Sequence, residues 1–152
     1  MSNPSNTAHE VESTLRKVIE TLIDSQEGFQ KIGEEMKDPM LKRYFLAESL
    51  KRAEFRGELE THLHQEGVHD IHESSTMSGA VHRGWAELKM KLGGGDHTLL
   101  VTAEEAEDES TAAYQDALHQ DLPFPVRQLL TTQSSHIQTS HDYVRTARDS
   151  SK

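Results

Sequence analysis

Glu48 and Glu107 are acidic residues whose helical spacing places them beside apolar side chains. Successive residues of an α-helix advance by about 100°, so a carboxylate three or four residues from apolar neighbours shares their inward face. His136 follows Gln133 by three residues, which is the spacing of a Glu-x-x-His metal-binding pair with glutamine in the glutamate position. Inward carboxylates and imidazoles are typical ligands of iron and other divalent metals. Glu48, Glu107 and His136 are therefore candidate metal ligands.

A di-iron centre in a four-helix bundle needs more ligands than these. It takes one glutamate from each of two helices and a Glu-x-x-His pair from each of the other two. The inward central positions of the first helix are Ser25 and Gln26, and Lys51 rather than histidine follows Glu48 by three residues. Arg52, one turn after Glu48, can neutralise it. The spacing predicts a buried polar layer whose metal centre is lost or absent, formed by Glu48, Arg52, Glu107, Tyr114 and His136.

Three interpretations of this layer stay open at the level of sequence. The favoured one is a hydrogen-bonded ion-pair network that fixes the helix register, with no cofactor. The second is a mononuclear or degenerate site for iron or another divalent metal. The third is general acid/base catalysis by Glu48 or Glu107, although the sequence indicates no substrate pocket.

Histidines near the end of the second predicted helix form a further candidate metal site. His62 is a candidate ligand, but its spacing from Phe55 and Leu59 also fits packing on the apolar face. A solvated helix end is the simpler alternative, since histidine interacts well with the negative end of the helix dipole. No two of these histidines are four residues apart, so we expect no specific binding by the group, which comprises His62, His64, Glu66, His69, Asp70 and His72.

Four long helices are predicted to position these residues. Good helix formers dominate between the Pro and Gly breaks, and alternating strand patterns are missing. Apolar residues recur at steps of three and four. We expect one domain over residues 8–148, disordered ends at 1–7 and 149–152, and helices at 8–37, 40–66, 97–119 and 124–148, with a shorter one at 78–92.

The link of about 30 residues between the second and third long helices predicts a ferritin-like crossover between two antiparallel hairpins. Trp85 is expected to anchor the short helix of this link against the second apolar face of helix 40–66. An alternative is that this face forms a homodimer contact. Its members are Leu46, Leu50, Ala53 and Gly57.

Three stretches of the sequence resemble an uncharacterised bacterial family of ferritin-like four-helix-bundle proteins. They are AVHRGWAELK at 80–89, AEDESTAAYQDAL at 106–118, and LPFPVRQLL at 122–130 with HDYVRTARD at 141–149. The resemblance covers nearly the whole chain and implies an all-α, ferritin-like bundle, with a general association with stress. It implies no reaction.

Composition excludes several classes of function. The chain has 152 residues, no cysteine and a formal net charge of -10, which disfavours thiolate chemistry and binding to nucleic acid or anionic membranes. No apolar run approaches the roughly 20 residues that span a bilayer, and no secretory signal is expected at the N-terminus. We expect a cytoplasmic structural or interaction module without enzymatic activity. The alternative is a metal-binding protein with oxidase or ferroxidase-type activity.

Overall fold

The described part of the chain consists of four long α-helices. A computed structural model describes residues 4–68 and 95–151. Within these ranges there is no strand, and the predicted all-α, four-helix fold is confirmed. The predicted helix at 78–92, with Trp85, lies outside the described residues, as do His69, Asp70 and His72. The helices are α1 (Pro4–Glu35), α2 (Pro39–Gln65), α3 (Gly95–Leu118) and α4 (Phe124–Ser150).

The outer ends of the bundle helices extend beyond the predicted bounds. α1 begins at Pro4 rather than at residue 8, since proline fits the first turn, where its missing N–H would have no helical partner. α4 continues to Ser150 rather than 148. It ends where the backbone N–H and the hydroxyl of Ser151 both donate to the carbonyl oxygen of Arg148. The chain is therefore helical closer to both termini than the sequence predicts.

The α1–α2 turn is held by the side chains of Asp38, Lys42 and Asp96. Asp38 caps α2 by accepting from the backbone N–H groups of Met40 and Leu41. Lys42 donates to the carbonyl oxygens of residues 33 and 34 at the end of α1. Asp96, in the first turn of α3, accepts from the backbone N–H groups of Lys37 and Asp38 at 2.9 Å each. The start of α3 therefore lies against this turn.

Two apolar clusters fill the two ends of the bundle. The first contains residues from the N-terminal part of α1, the C-terminal parts of α2 and α3, and the N-terminal half of α4. The second contains residues from the opposite ends of the same helices. It follows that α2 and α3 run parallel to each other and antiparallel to α1 and α4. Val68 packs on the first cluster and Gly95 begins α3 beside the second, so these two residues lie at opposite ends of the bundle.

Gly33 allows α1 and α2 to approach closely near their connecting turn. A Cβ atom added at Gly33 would lie 2.9 Å from the side chain of Leu46 and 3.1 Å from its backbone nitrogen. Leu46 is consequently half-buried against α1 rather than available on an outer face.

Among the described helices, none combines the length and the apolar character that crossing a membrane requires.

Candidate functional site

A layer of polar side chains lies at the middle of the bundle, between the two apolar clusters. α2 contributes Glu48 and Arg52, which are one turn apart on the stripe that also buries Phe45 and Phe55. α3 contributes Glu107 from a stripe of small and apolar residues. Glu48, Arg52 and Glu107 are 5%, 0% and 0% exposed, so charged groups of both signs are enclosed in the core.

Arg52 joins the two glutamates. Its Nε donates to Oε1 of Glu48 at 3.0 Å, and its Nη2 donates to Oε1 of Glu107 at 2.6 Å. The guanidinium carbon also lies 4.8 Å from the centre of the Phe29 ring, so α1 covers the cation with an aromatic face. The planar fork of arginine suits such double contact, because its donors point in fixed, separate directions. One cation therefore links α2 to α3 across the core.

Burial and the nearness of opposite charges shift the pKa values of Arg52 and Glu107. Burial by itself lowers the pKa of Arg52, but the carboxylates of Glu107 and Glu48 more than offset this and raise it above its ordinary value. Burial raises the pKa of Glu107, and the attraction of Arg52 only partly opposes the shift. The guanidinium is thus kept charged, while Glu107 holds its proton more tightly than an exposed glutamate does.

His136 completes the layer from α4. Its Nε2 lies 2.8 Å and 3.1 Å from the two carboxylate oxygens of Glu48. The imidazole ring also meets the Phe55 ring edge to face, with centroids 5.3 Å apart. The side chain is 34% exposed, so His136 connects the enclosed charges to solvent.

Tyr114, the fifth predicted member of the layer, is hydrogen-bonded elsewhere. Its hydroxyl donates to Oε1 of Gln133 at 2.7 Å. Gln133 in turn donates to the carbonyl oxygen of Phe55 and to the carboxylate of Glu58. Gln133 and His136 therefore do not form one site. Gln133 is hydrogen-bonded to Tyr114 and to α2, whereas His136 contacts Glu48. Burial raises the pKa of Tyr114, which keeps its hydroxyl a donor.

Tyr44 and Ser140 lie beside the layer, and neither is among its five predicted members. The Tyr44 hydroxyl donates to Oγ of Ser140 at 2.8 Å, linking α2 to α4 one turn from the contact between Glu48 and His136. Burial raises the pKa of Tyr44, so it too remains a donor. The signal was present in the spacing, since Tyr44 precedes Glu48 by four residues and Ser140 follows His136 by four.

His62 is remote from the layer. It lies half-buried in the last turn of α2, 14 residues after Glu48 and so about 21 Å along the helix axis. His64 is exposed in the same turn. The structure therefore does not bring His62 together with the other candidate metal ligands.

The donor set does not fit a di-iron centre. Across residues 4–68 and 95–151, no three histidine, aspartate or glutamate side chains are grouped so that they could hold a metal ion. The two inward carboxylates already share a guanidinium, and Ser25 donates within α1 to the carbonyl oxygen of Leu22. What this arrangement does chemically is tie three helices together. Its remaining buried polar atoms without a hydrogen-bond partner among the described residues include Nη1 of Arg52, Oε2 of Glu107 and Oγ of Ser110.

Comparison with known proteins identifies the family of this chain. The family described as Domain of unknown function (DUF2383) matches residues 10–120. The chain belongs to this family. The DUF2383 match includes Glu48, Arg52 and Glu107 and ends before α4, which supplies His136. Among curated proteins, none matches the chain. Membership of a family of unknown function is therefore confirmed, and ferritin-like character stays a prediction.

Proposed function

We propose that this DUF2383 protein is a non-enzymatic, ferritin-like helical bundle in which an internal arginine takes the place of a metal centre. It would act in the cytoplasm as a structural or interaction module, possessing a degenerate metal site and having no nucleic-acid partner. The observation that carries the proposal is the fully buried guanidinium of Arg52 between the carboxylates of Glu48 and Glu107.

The chemistry of the layer supports this interpretation. A divalent metal between two glutamates supplies positive charge and fixes the helices that carry them. Arg52 supplies positive charge at the same two carboxylates, and its Nη2–Oε1 distance of 2.6 Å to Glu107 leaves no room for an ion between those atoms. The second contact of Glu48, with His136, binds α4 to the same group. Contacts among protein side chains therefore join α2, α3 and α4 within this layer.

The helix directions support the ferritin-like part of the proposal. Parallel α2 and α3 require a connection that returns along the bundle, as in ferritin-like topology, whereas a simple up-down bundle would make them antiparallel. The ends of α2 and α3 that precede and follow the connection lie at opposite ends of the bundle.

Metal analysis of the full chain, purified without a histidine tag, tests the proposal. We expect no stoichiometric metal after purification and no saturable spectral change on titration with Co²⁺ or Fe²⁺. Glu48→Ala and Glu107→Ala are the informative variants, because the competing metal-binding function assigns both residues as ligands. Tight, stoichiometric metal that either variant loses would overturn the proposal in favour of an oxidase or ferroxidase-type protein.

A further inference from the structure

The outer face of α2 carries a stripe of exposed residues with a regular spacing of three and four. This spacing is typical of a helix seam that packs against a second helix. Met40 and Leu50 on this stripe are 72% and 73% exposed, which makes them two of the most exposed large apolar side chains among the described residues. We name the stripe the outer seam; its members, all exposed, are Met40, Arg43, Ala47, Leu50, Glu54 and Gly57.

The outer seam differs in part from the dimer face predicted from sequence. Of the predicted residues, Leu50 and Gly57 are exposed, whereas Leu46 packs against Gly33 of α1 and Ala53 is half-buried. The accessible stripe is therefore rotated about the α2 axis, away from α1.

The outer seam is complementary in size to a reversed copy of itself. Consider a second α2 placed antiparallel against the outer seam, with the two-fold axis at the height midway between residues 48 and 49. Residues of the two copies whose numbers sum to 97 then face each other. Leu50 then lies opposite Ala47 of the second copy, and Met40 lies opposite Gly57 of the second copy. A Cβ atom at Gly57 would meet nothing within 4 Å, so the space above it is open. Each large apolar side chain thus faces a small one.

The outer seam is complementary in charge in the same register. Arg43 lies opposite Glu54 of the second copy, and the two-fold axis repeats this pair. The seam carries one positive and one negative residue in a chain whose formal net charge is -10, so it is a neutral stripe on an acidic protein. Glu54 already contacts Lys51 of its own helix at 3.4 Å, an exposed pair that contributes little to folding. Opposite charges facing across an interface favour one register over others.

We propose that the outer seam is an interface through which two copies of this chain pair antiparallel, with Leu50 on Ala47 and Arg43 on Glu54 of the opposite copy. A two-fold axis makes such an interface self-complementary, which is the commonest arrangement of soluble dimers. The seam is about 26 Å long, from 17 rises of about 1.5 Å. A contact between single helices of this length buries less than the roughly 1,200 Å² of a stable complex, so the dimer is reversible.

Sedimentation equilibrium of the full-length, untagged protein, over concentrations up to about 500 µM, tests this interface. We expect a monomer–dimer equilibrium in the wild type and a dissociation constant raised at least about tenfold by Leu50→Glu. Lys31→Glu, an exposed charge change on α1, is the matched control and should leave the equilibrium unchanged. Circular dichroism should report the same helix content for all variants.

Exchange of the two charges separates this register from any other apolar contact. Arg43→Glu alone places like charges opposite each other and should weaken the dimer, whereas Arg43→Glu combined with Glu54→Arg restores opposite charges and should recover it. A wild type that remains monomeric throughout the concentration range would overturn the proposal. So would equal effects of Leu50→Glu and Lys31→Glu, or a double variant that stays as weak as Arg43→Glu.

Discussion

The middle of this bundle and its two ends are held by different physical forces. The ends consist of apolar clusters, in which burial of aliphatic and aromatic side chains stabilises the fold with little directional preference. The middle encloses Glu48, Arg52 and Glu107, whose removal from water is costly and is offset only by specific contacts. The ends therefore supply most of the stability, while the middle determines which residues face each other.

This division explains why a sequence with only 34% apolar residues can specify one arrangement of four long helices. Narrow apolar stripes tolerate sliding by a turn, because one leucine can replace another. A slide that separated Arg52 from Glu107 would leave a charge buried without a partner, a cost of several kcal/mol. The polar layer therefore selects the register that the apolar clusters then stabilise.

Removing the cation of the middle layer should have the largest effect. Arg52→Met leaves two buried carboxylates without their common partner and should lower the free energy of unfolding by about 3–5 kcal/mol, measured by urea denaturation. The matched control replaces the whole charged set with Glu48→Met, Arg52→Met and Glu107→Met, which should recover most of the loss. If the single and triple variants were equally unstable, packing volume rather than charge would dominate the layer.

Shortening a buried side chain in one of the apolar clusters should have a somewhat smaller effect. Leu59 is fully buried in the first apolar cluster, and Leu59→Ala should lower the free energy of unfolding by about 3 kcal/mol through lost burial and the cavity that remains. Since no titrating group is removed, the loss should be the same at pH 5 and pH 8, within the error of chemical denaturation. A strongly pH-dependent loss would contradict the proposed separation between apolar ends and polar middle.

The close approach of α1 and α2 should show a smaller and more local effect. Gly33→Ala forces a methyl group against Leu46 and should destabilise the protein by about 1–2 kcal/mol despite the better helix propensity of alanine. Gly57→Ala, on the same helical hairpin but with open space around it, should instead stabilise the monomer by about 0.5–1 kcal/mol. Thermal unfolding of the two variants, at protein concentrations too low for dimerisation, compares their stabilities directly. Changes of the same sign would show that propensity rather than space decides both sites.

The contribution of Glu107 to the free energy of unfolding should depend on pH. Because burial raises its folded-state pKa, its contribution is fully present below the ordinary glutamate pKa of about 4.3 and is lost as pH rises through the raised value. The unfolding free energy of the wild type relative to Glu107→Gln should therefore fall with rising pH, by up to about 1.4 kcal/mol per unit of pKa elevation. Glu105→Gln, at an exposed position of α3, is the control. A relative stability that grows with pH would mean that attraction to Arg52 outweighs burial.

The positions of residues that share a helix can be predicted from the sequence. Glu48 and Arg52 are one turn apart, so their contact follows from α-helix geometry alone. The inward position of Glu107 followed equally from its apolar neighbours on α3. The fold class followed from the spacing of apolar residues and from the proline and glycine breaks.

Contacts between helices needed the structure. Nothing in the spacing of Gln133 and His136 shows that one serves Tyr114 and the other Glu48, because their relative height against α2 depends on how α4 docks. The burial of Leu46, a member of the predicted dimer face, also needed the structure, since the close approach of Gly33 to Leu46 depends on packing between two helices. The spacing of Tyr44 and Ser140 indicates the helix face on which each lies, but the hydrogen bond between them depends on how α4 docks on α2.

Anomalous diffraction from crystals of the untagged protein grown with Co²⁺ tests directly whether Arg52 occupies the place of a metal. We expect the Arg52 guanidinium between Glu48 and Glu107, with no anomalous peak in the polar layer. An anomalous peak within coordination distance of either glutamate, with Arg52 turned out of the core, would contradict it.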